Sequence, residues 1–247
     1  MVGTLYGVGV GPGDPELLTL KAVRILSACE VIGIPSAETE LCTAWKIAVQ
    51  AVPEIADKEI ISVSVPMTKD ISKLNNAYAI GCEALAKALD AGKNIAFLNL
   101  GDPTLYGSYM EIHKSICALG YHAEIVNGVP SVCAVAAALG EALGERSEAV
   151  HIFPGNYDLH DFAEADGTIV LMKPASKLAS VKRQLMELEQ KGDCRVSAVA
   201  NCGMINQRVC TNIKDLDEDA GYFVTILVKR PDANDGISPC AEMETQK

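Results

Sequence analysis

The chain has 247 residues, of which 49% are hydrophobic and 21% charged, a balance that supports a substantial core in one large or two small domains and excludes a disordered chain. With 21 Lys and Arg against 32 Asp and Glu the net charge is −11, which argues against nucleic acid as a partner, because a broad footprint needs clustered cations to displace phosphate counterions. The longest apolar runs, Val132 to Leu139 and Val224 to Val228, fall short of the ~18–20 residues that cross a bilayer, so no membrane contact is expected; with no basic, apolar leader at the start, a cytoplasmic location is expected.

Leu5 to Val10 reads as a short buried strand. Asp14 is placed to cap, and Pro15 to begin, a helix running to Ala28, with Leu17, Leu18, Leu20, Val23, Ile25 and Leu26 near helical spacing. Strands follow near 30–34, 59–63, 94–99 and 122–126, separated by helices near 43–51, 71–91 and 110–119. Such alternation predicts a mainly parallel sheet covered by helices. Asn127-Gly128-Val129-Pro130 reads as a turn between domains, so an N-terminal α/β domain with a glycine-rich loop is expected over 1–127 and a mixed α/β domain over 128–230. The second opens with an alanine-rich helix at 131–139, continues through strands near 150–153, 168–172, 196–200, 207–210 and 222–228, and has a helix at 176–190. Residues 231–247 are polar, with little apolar material to offset the entropy of ordering, and are expected to form a disordered tail.

Nine cysteines are scattered without C-x-x-C spacing, and the histidines at 113, 122, 151 and 160 show no His-Glu-x-x-His pattern. Reduced, structural thiols and no protein-bound metal are therefore expected.

Two glycine loops carry the chemistry. Gly7, Gly9, Gly11 and Gly13 alternate between the first strand and its helix, where absent side chains let backbone approach a ligand. The dinucleotide fingerprint fails on spacing, because a G-x-G-x-x-G begun at Gly7 places Pro12 at its third glycine and one begun at Gly9 places Asp14 there. No Gly-Lys-Ser/Thr follows, so the phosphate loop fails too. A capped strand-to-helix turn remains open as the plain reading. The second loop, Leu100-Gly101-Asp102-Pro103-Thr104-Leu105-Tyr106-Gly107, follows the apolar strand at 95–100 and precedes a helix. Alone, Asp102 before Pro103 reads as a turn residue; two such loops at two strand ends favour a site.

Together, Gly9 to Ala22 and Gly101 to Gly107 resemble the two signature motifs of the tetrapyrrole methylase family. The resemblance extends to Gly128-Val129-Pro130-Ser131-Val132, Leu171-Met172-Lys173 and Tyr222 to Val228, so it spans nearly the whole chain. The segments Leu5 to Asp14 and Gly101 to Tyr106 resemble the branch that methylates C-20 of precorrin-2 or cobalt-precorrin-2. The family implies two α/β domains with S-adenosyl-L-methionine in the cleft between them, a homodimer, and a tetrapyrrole substrate. Carried over residue by residue, the cofactor contacts would be Pro12, Leu100, Gly101, Asp102, Leu105, Ser131, Val132, Met172 and Phe223, most of them through backbone groups. One departure bears on the substrate: Gly107 is followed by Ser108 and Tyr109, not by the arginine of the uroporphyrinogen branch.

Methyl transfer from a sulfonium to carbon is an in-line displacement in which positioning supplies much of the rate. Glu111, about a helical turn beyond the second loop, is the candidate general base, against the plain reading of a solvated helix carboxylate. Tyr106 is a candidate hydrogen-bonding group at the transfer centre, against a packing role. The rival readings are a precorrin methylase acting at another ring carbon, a diphthine synthase, a ribosomal RNA methylase, which the acidity disfavours, and a noncatalytic tetrapyrrole carrier.

Overall fold

A computed structural model describes residues 1–64, 70–155, 165–174 and 177–230; the tail expected over 231–247 lies outside the described residues. The chain divides into two compact units, Met1–Ala134 with Asn201–Gln207, and Val135–Ala200 continuing from Arg208. The division falls at Ala134, inside α5 (Ser131–Leu139), and not at the turn around Gly128. That turn is held by the first unit, since its backbone packs against Gly9 and Gly101.

In the first unit β1 (Leu5–Gly9), β2 (Val31–Ile34), β3 (Glu59–Ser62), β4 (Ile95–Asn99) and β5 (Ala123–Val126) form a parallel sheet in the order β3-β2-β4-β1-β5. Successive strand residues alternate between faces. Val8, Ile32, Ala96 and Leu98 pack against α1 (Leu20–Ala28) and α2 (Thr43–Ala51) through Leu26, Ala44 and Ile47. Leu5, Val31, Ile95 and Phe97 pack against α3 (Ile71–Asp90) and α4 (Tyr109–Ala118) through Leu85, Leu89, Tyr109 and Ile112. Helices on both faces explain why the strands read as almost continuous apolar runs.

The helix expected over 15–28 is two elements. Asp14 caps only a 3-10 turn at Pro15–Leu17, accepting the Glu16 amide at 2.8 Å. Leu18 is extended and packs against the core, and Thr19 then starts α1, its hydroxyl accepting the Ala22 amide at 3.1 Å. Thr19 resets the register because a β-branched residue with a hydroxyl favours the N-cap over the helix interior. Leu20, expected on the buried stripe, is consequently 89% exposed.

The second unit has a five-stranded mixed sheet in the order β6-β7-β10-β8-β9, with β6 (Val150–Pro154), β7 (Thr168–Met172), β8 (Arg195–Ala200), β9 (Arg208–Cys210) and β10 (Val224–Lys229). Only β6 and β7 pair in parallel. Leu178, Val181 and Leu185 of α6 (Leu178–Gln190) pack with Leu171, Ala198 and Ile226. No helix among the described residues is long and apolar enough to cross a membrane.

Candidate active site

The position of the site follows from strand order. The connection from β1 passes beyond β4 to β2, with α1 on one face; the connection from β4 passes beyond β1 to β5, with α4 on the other. Right-handed crossovers in opposite directions require opposite faces. The chain therefore diverges between the carboxyl ends of β1 and β4, the switch point at which open α/β sheets bind ligands.

Both glycine loops leave the sheet at that point. Strand pairing brings Gly9 opposite Asn99. Beyond it the Val10 amide donates to the Asn99 carbonyl at 3.0 Å and the Gly101 amide to the Gly11 carbonyl at 2.8 Å, closing an antiparallel bridge between the loops. The turn after β5 joins them: a Cβ on Gly9 would lie 2.5 Å from the Gly128 nitrogen, and one on Gly128 would lie 2.3 Å from the Gly101 carbonyl oxygen. Three backbones meet where no side chain could stand. Gly101 differs, because its φ of +71° demands glycine while a Cβ there would meet nothing within 4 Å. The space a side chain would fill there is open, which lets a ligand approach the Cα face of the loop closely.

Asp102 locks this junction. One carboxylate oxygen accepts the Thr104 amide (2.7 Å) and hydroxyl (2.5 Å); the other accepts the Asn127 side-chain amide (3.1 Å) and the Gly128 backbone amide (3.0 Å). Burial alone would raise its pKa, but these hydrogen bonds outweigh burial and hold the carboxyl below its ordinary value. The carboxylate is committed to protein donors, so a cofactor contact at Asp102 falls to its backbone.

Beyond Asp102 the loop turns back over β4. A Cβ on Gly107 would strike the Asn99 side chain at 2.6 Å, and the backbone reaches Gly107 through Tyr106 at φ +54°. A non-glycine residue held there costs of order 1–3 kcal/mol, strain that proteins retain mainly at functional positions. The Tyr106 side chain is half exposed. Directly below, Tyr109 is fully buried in the space Gly7 leaves, where a Cβ would lie 2.0 Å from its ring.

Of the expected contacts, Leu100, Gly101, Asp102 and Leu105 share the second loop, and Pro12 lies buried in the first loop, beside the Gly11–Gly101 bridge. Ser131 and Val132 open α5 immediately after the Gly128 turn. Met172 and Phe223 belong to the second unit. Met172 ends β7 opposite Thr225, Phe223 packs edge-on to Tyr222 at 5.3 Å, and Lys173, at φ +55°, sits over the Tyr222 ring at 5.4 Å.

Glu111 is not gathered with the loops. Its exposed carboxylate pairs with Lys114 at 2.8 Å and lines an open groove of about 710 Å³ between α3 and α4, with Tyr78, Cys82 and Ser115. This is the setting of a solvated helix carboxylate, the plain reading of Glu111.

One segment escaped the sequence reading. Residues 201–207 pack on the first loop, with the Cys202 carbonyl 2.3 Å from where a Gly13 Cβ would stand. Asn201 and Gly203 both have positive φ, and the Gly203 amide donates to the Gln207 side chain at 2.6 Å. The signal available was Asn-Cys-Gly, a turn-forming string between two strands. Among the described residues no group of three or more His, Cys, Asp or Glu is arranged to hold a metal.

Residues 4–217 match the family model described as Tetrapyrrole (Corrin/Porphyrin) Methylases. A "Probable cobalt-precorrin-2 C(20)-methyltransferase" of Methanocaldococcus jannaschii is 31% identical, over 93% of this chain and 97% of the relative. A precorrin-2 C(20)-methyltransferase of a Sinorhizobium species is 29% identical, over 92% and 95%. Among solved structures, the cobalt precorrin-4 methyltransferase CbiF superposes with a TM-score of 0.71 at 23% identity, over 92% of this chain and 94% of that one, a likeness of fold.

Proposed function

The chain belongs to the tetrapyrrole methylase family, and from that premise we propose that it is an S-adenosylmethionine-dependent C-methyltransferase acting on the C-20 meso carbon of precorrin-2 or cobalt-precorrin-2 in corrin-ring biosynthesis. The observation that carries the reading is the junction of Gly9, Gly101 and Gly128 at the β1/β4 switch point, built from the segments that resemble the family's motifs. The names of the two full-length relatives support the ring position. Any cobalt would enter as part of the substrate.

The residues present suit S-adenosylmethionine. Gly101 leaves open the space its own side chain would fill, and Asp102 pins the loop on both sides. Pro12, Leu100, Gly101, Asp102, Leu105, Ser131 and Val132 are the proposed contacts in the first unit; Met172 and Phe223 are assigned by resemblance in the second. When bound, S-adenosylmethionine supplies a methyl group on a positively charged sulfur. The rigid glycine junction orients it, and well-oriented reactants gain up to ~7–11 kcal/mol over free encounter. Buried Pro12 and Val132 exclude water, so fixed dipoles replace solvent around the reacting centre. Tyr106 is the proposed polar group beside that centre. A homodimer in the cytoplasm completes the proposal.

The test is an anaerobic incubation with labelled S-adenosylmethionine and precorrin-2, with and without cobalt, followed by mass and NMR of the product. One methyl on C-20 is the expected result. A methyl on another ring carbon, or none on either form, overturns the substrate assignment.

A further inference from the structure

Away from the glycine loops, Tyr109, His113 and Cys117 stand one helical turn apart along α4. The Tyr109 hydroxyl lies 3.2 Å from the Glu124 carbonyl and 3.2 Å from His113 Nδ1, and His113 Nε2 lies 3.8 Å from the Cys117 sulfur. Proton counting sets the directions. A carbonyl has no proton, so when Tyr109 donates to Glu124 its oxygen accepts from His113. In that tautomer the ring proton is on Nδ1 and the Nε2 lone pair faces the Cys117 thiol. Tyr109 is fixed in this role: its ring is fully buried, 5.9 Å from Phe97 and edge-on to His113 at 5.6 Å. Burial first, and then the neighbouring Cys117, push its hydroxyl above the ordinary tyrosine value, so it stays protonated.

Cys117 is exposed, while Cys29, Cys42, Cys82, Cys194, Cys202 and Cys210 are buried. Burial raises the pKa of each of these six, which suppresses the thiolate needed for reaction. Exposed Cys133 makes the comparison available within one chain. The last turn of α4, where Cys117 sits, opposes a thiolate through the helix dipole, so activation falls to His113.

We propose that Cys117 is a covalent modification site, a thiol whose proton His113 accepts while the sulfur attacks an electrophile of the hydroperoxide class. The sulfur lone pair forms an S–O bond as the O–O bond breaks. The departing oxygen takes the proton from His113 and leaves as water or an alcohol. Sulfur is oxidised to a sulfenic acid and the peroxide is reduced. The arrangement has the logic of a thiol, a base and an orienting third group, and it is independent of the methyl-transfer reading.

The test exposes the full chain to hydrogen peroxide with dimedone as the sulfenic-acid trap, and follows each cysteine peptide by mass spectrometry. Cys117 is expected to be trapped roughly tenfold faster than Cys133. His113→Gln, with an unchanged melting curve, is expected to bring Cys117 down to the Cys133 rate, and Tyr109→Phe to slow it partway. Equal rates at Cys117 and Cys133 in the unaltered protein overturn the proposal whether or not the variants fold. An unchanged Cys117 rate in folded His113→Gln overturns it too.

Discussion

The Gly101 amide donates to the Gly11 carbonyl at 2.8 Å, so the loops leaving β4 and β1 meet backbone to backbone. Gly101 and Gly128 both contribute to this junction but for different reasons, and substitution separates them. Gly128→Ala drives a Cβ to 2.3 Å from the Gly101 oxygen, and stability should fall by more than the ~1–2 kcal/mol expected for the left-handed strain of Gly101→Ala. Gly101→Ala, whose Cβ enters open space, should instead lose affinity for S-adenosylmethionine out of proportion to its stability. Urea unfolding beside calorimetric titration reads both quantities.

Asp102 should make the first unit sensitive to acid. Its folded pKa is depressed, so its stabilisation is complete above the ordinary carboxylate value and is lost as the pH falls through the depressed one. Asp102→Asn keeps the shape but cannot accept on both sides, and should cost about 1–3 kcal/mol at neutral pH. The difference between variant and parent should shrink in acid as the parent protonates. Equal gaps at pH 7 and pH 3 would contradict the network.

The exposed ion pair of Glu111 with Lys114 predicts that Glu111→Gln retains a near-normal single-turnover rate. Tyr106→Phe, altered at the strained loop position, should lower that rate with little change in S-adenosylmethionine affinity. Rapid-quench measurements on the two variants check this; the reverse order of effects would restore Glu111 as the proton acceptor.

Lys58 caps α1 from a distance, donating to the carbonyls of Leu26 (2.7 Å), Ser27 (2.6 Å) and Cys29 (2.7 Å). Lys58→Met retains the aliphatic stem but leaves those carbonyls without the cation. A loss of about 1–2 kcal/mol is expected, measurable by thermal melts. Burial and Glu30 push the Cys29 thiol up to about 12, partly offset by Lys58, so the variant should leave that thiol no more reactive.

Most elements were legible because their signals are local. The apolar strand at 95–99 and the helix at 43–51 declare themselves through period and length. Leu20 misled because its spacing suits a helix begun at Pro15, whereas the Thr19 hydroxyl begins a new one. The side of α4 that Glu111 occupies was not legible, because proximity in sequence to a loop does not fix a helix face. Residues 201–207 depend on Gly13, far away in the chain, whereas Tyr109, His113 and Cys117 recur at helical spacing and needed the fold only to show which of them are buried.

By itself, the sequence determined that two glycine loops end two buried strands, that helices cover the sheet, and which family the motifs resemble; each rests on neighbours within a few residues. Only the tertiary structure decided that β4 lies beside β1. Strand order is a choice among non-local hydrogen-bond partners of nearly equal chemistry, because every strand edge offers the same backbone amides and carbonyls. Once β4 took that place, right-handed crossovers sent α1 and α4 to opposite faces, and the loops at Gly11 and Gly101 were left to meet backbone to backbone where the helices diverge.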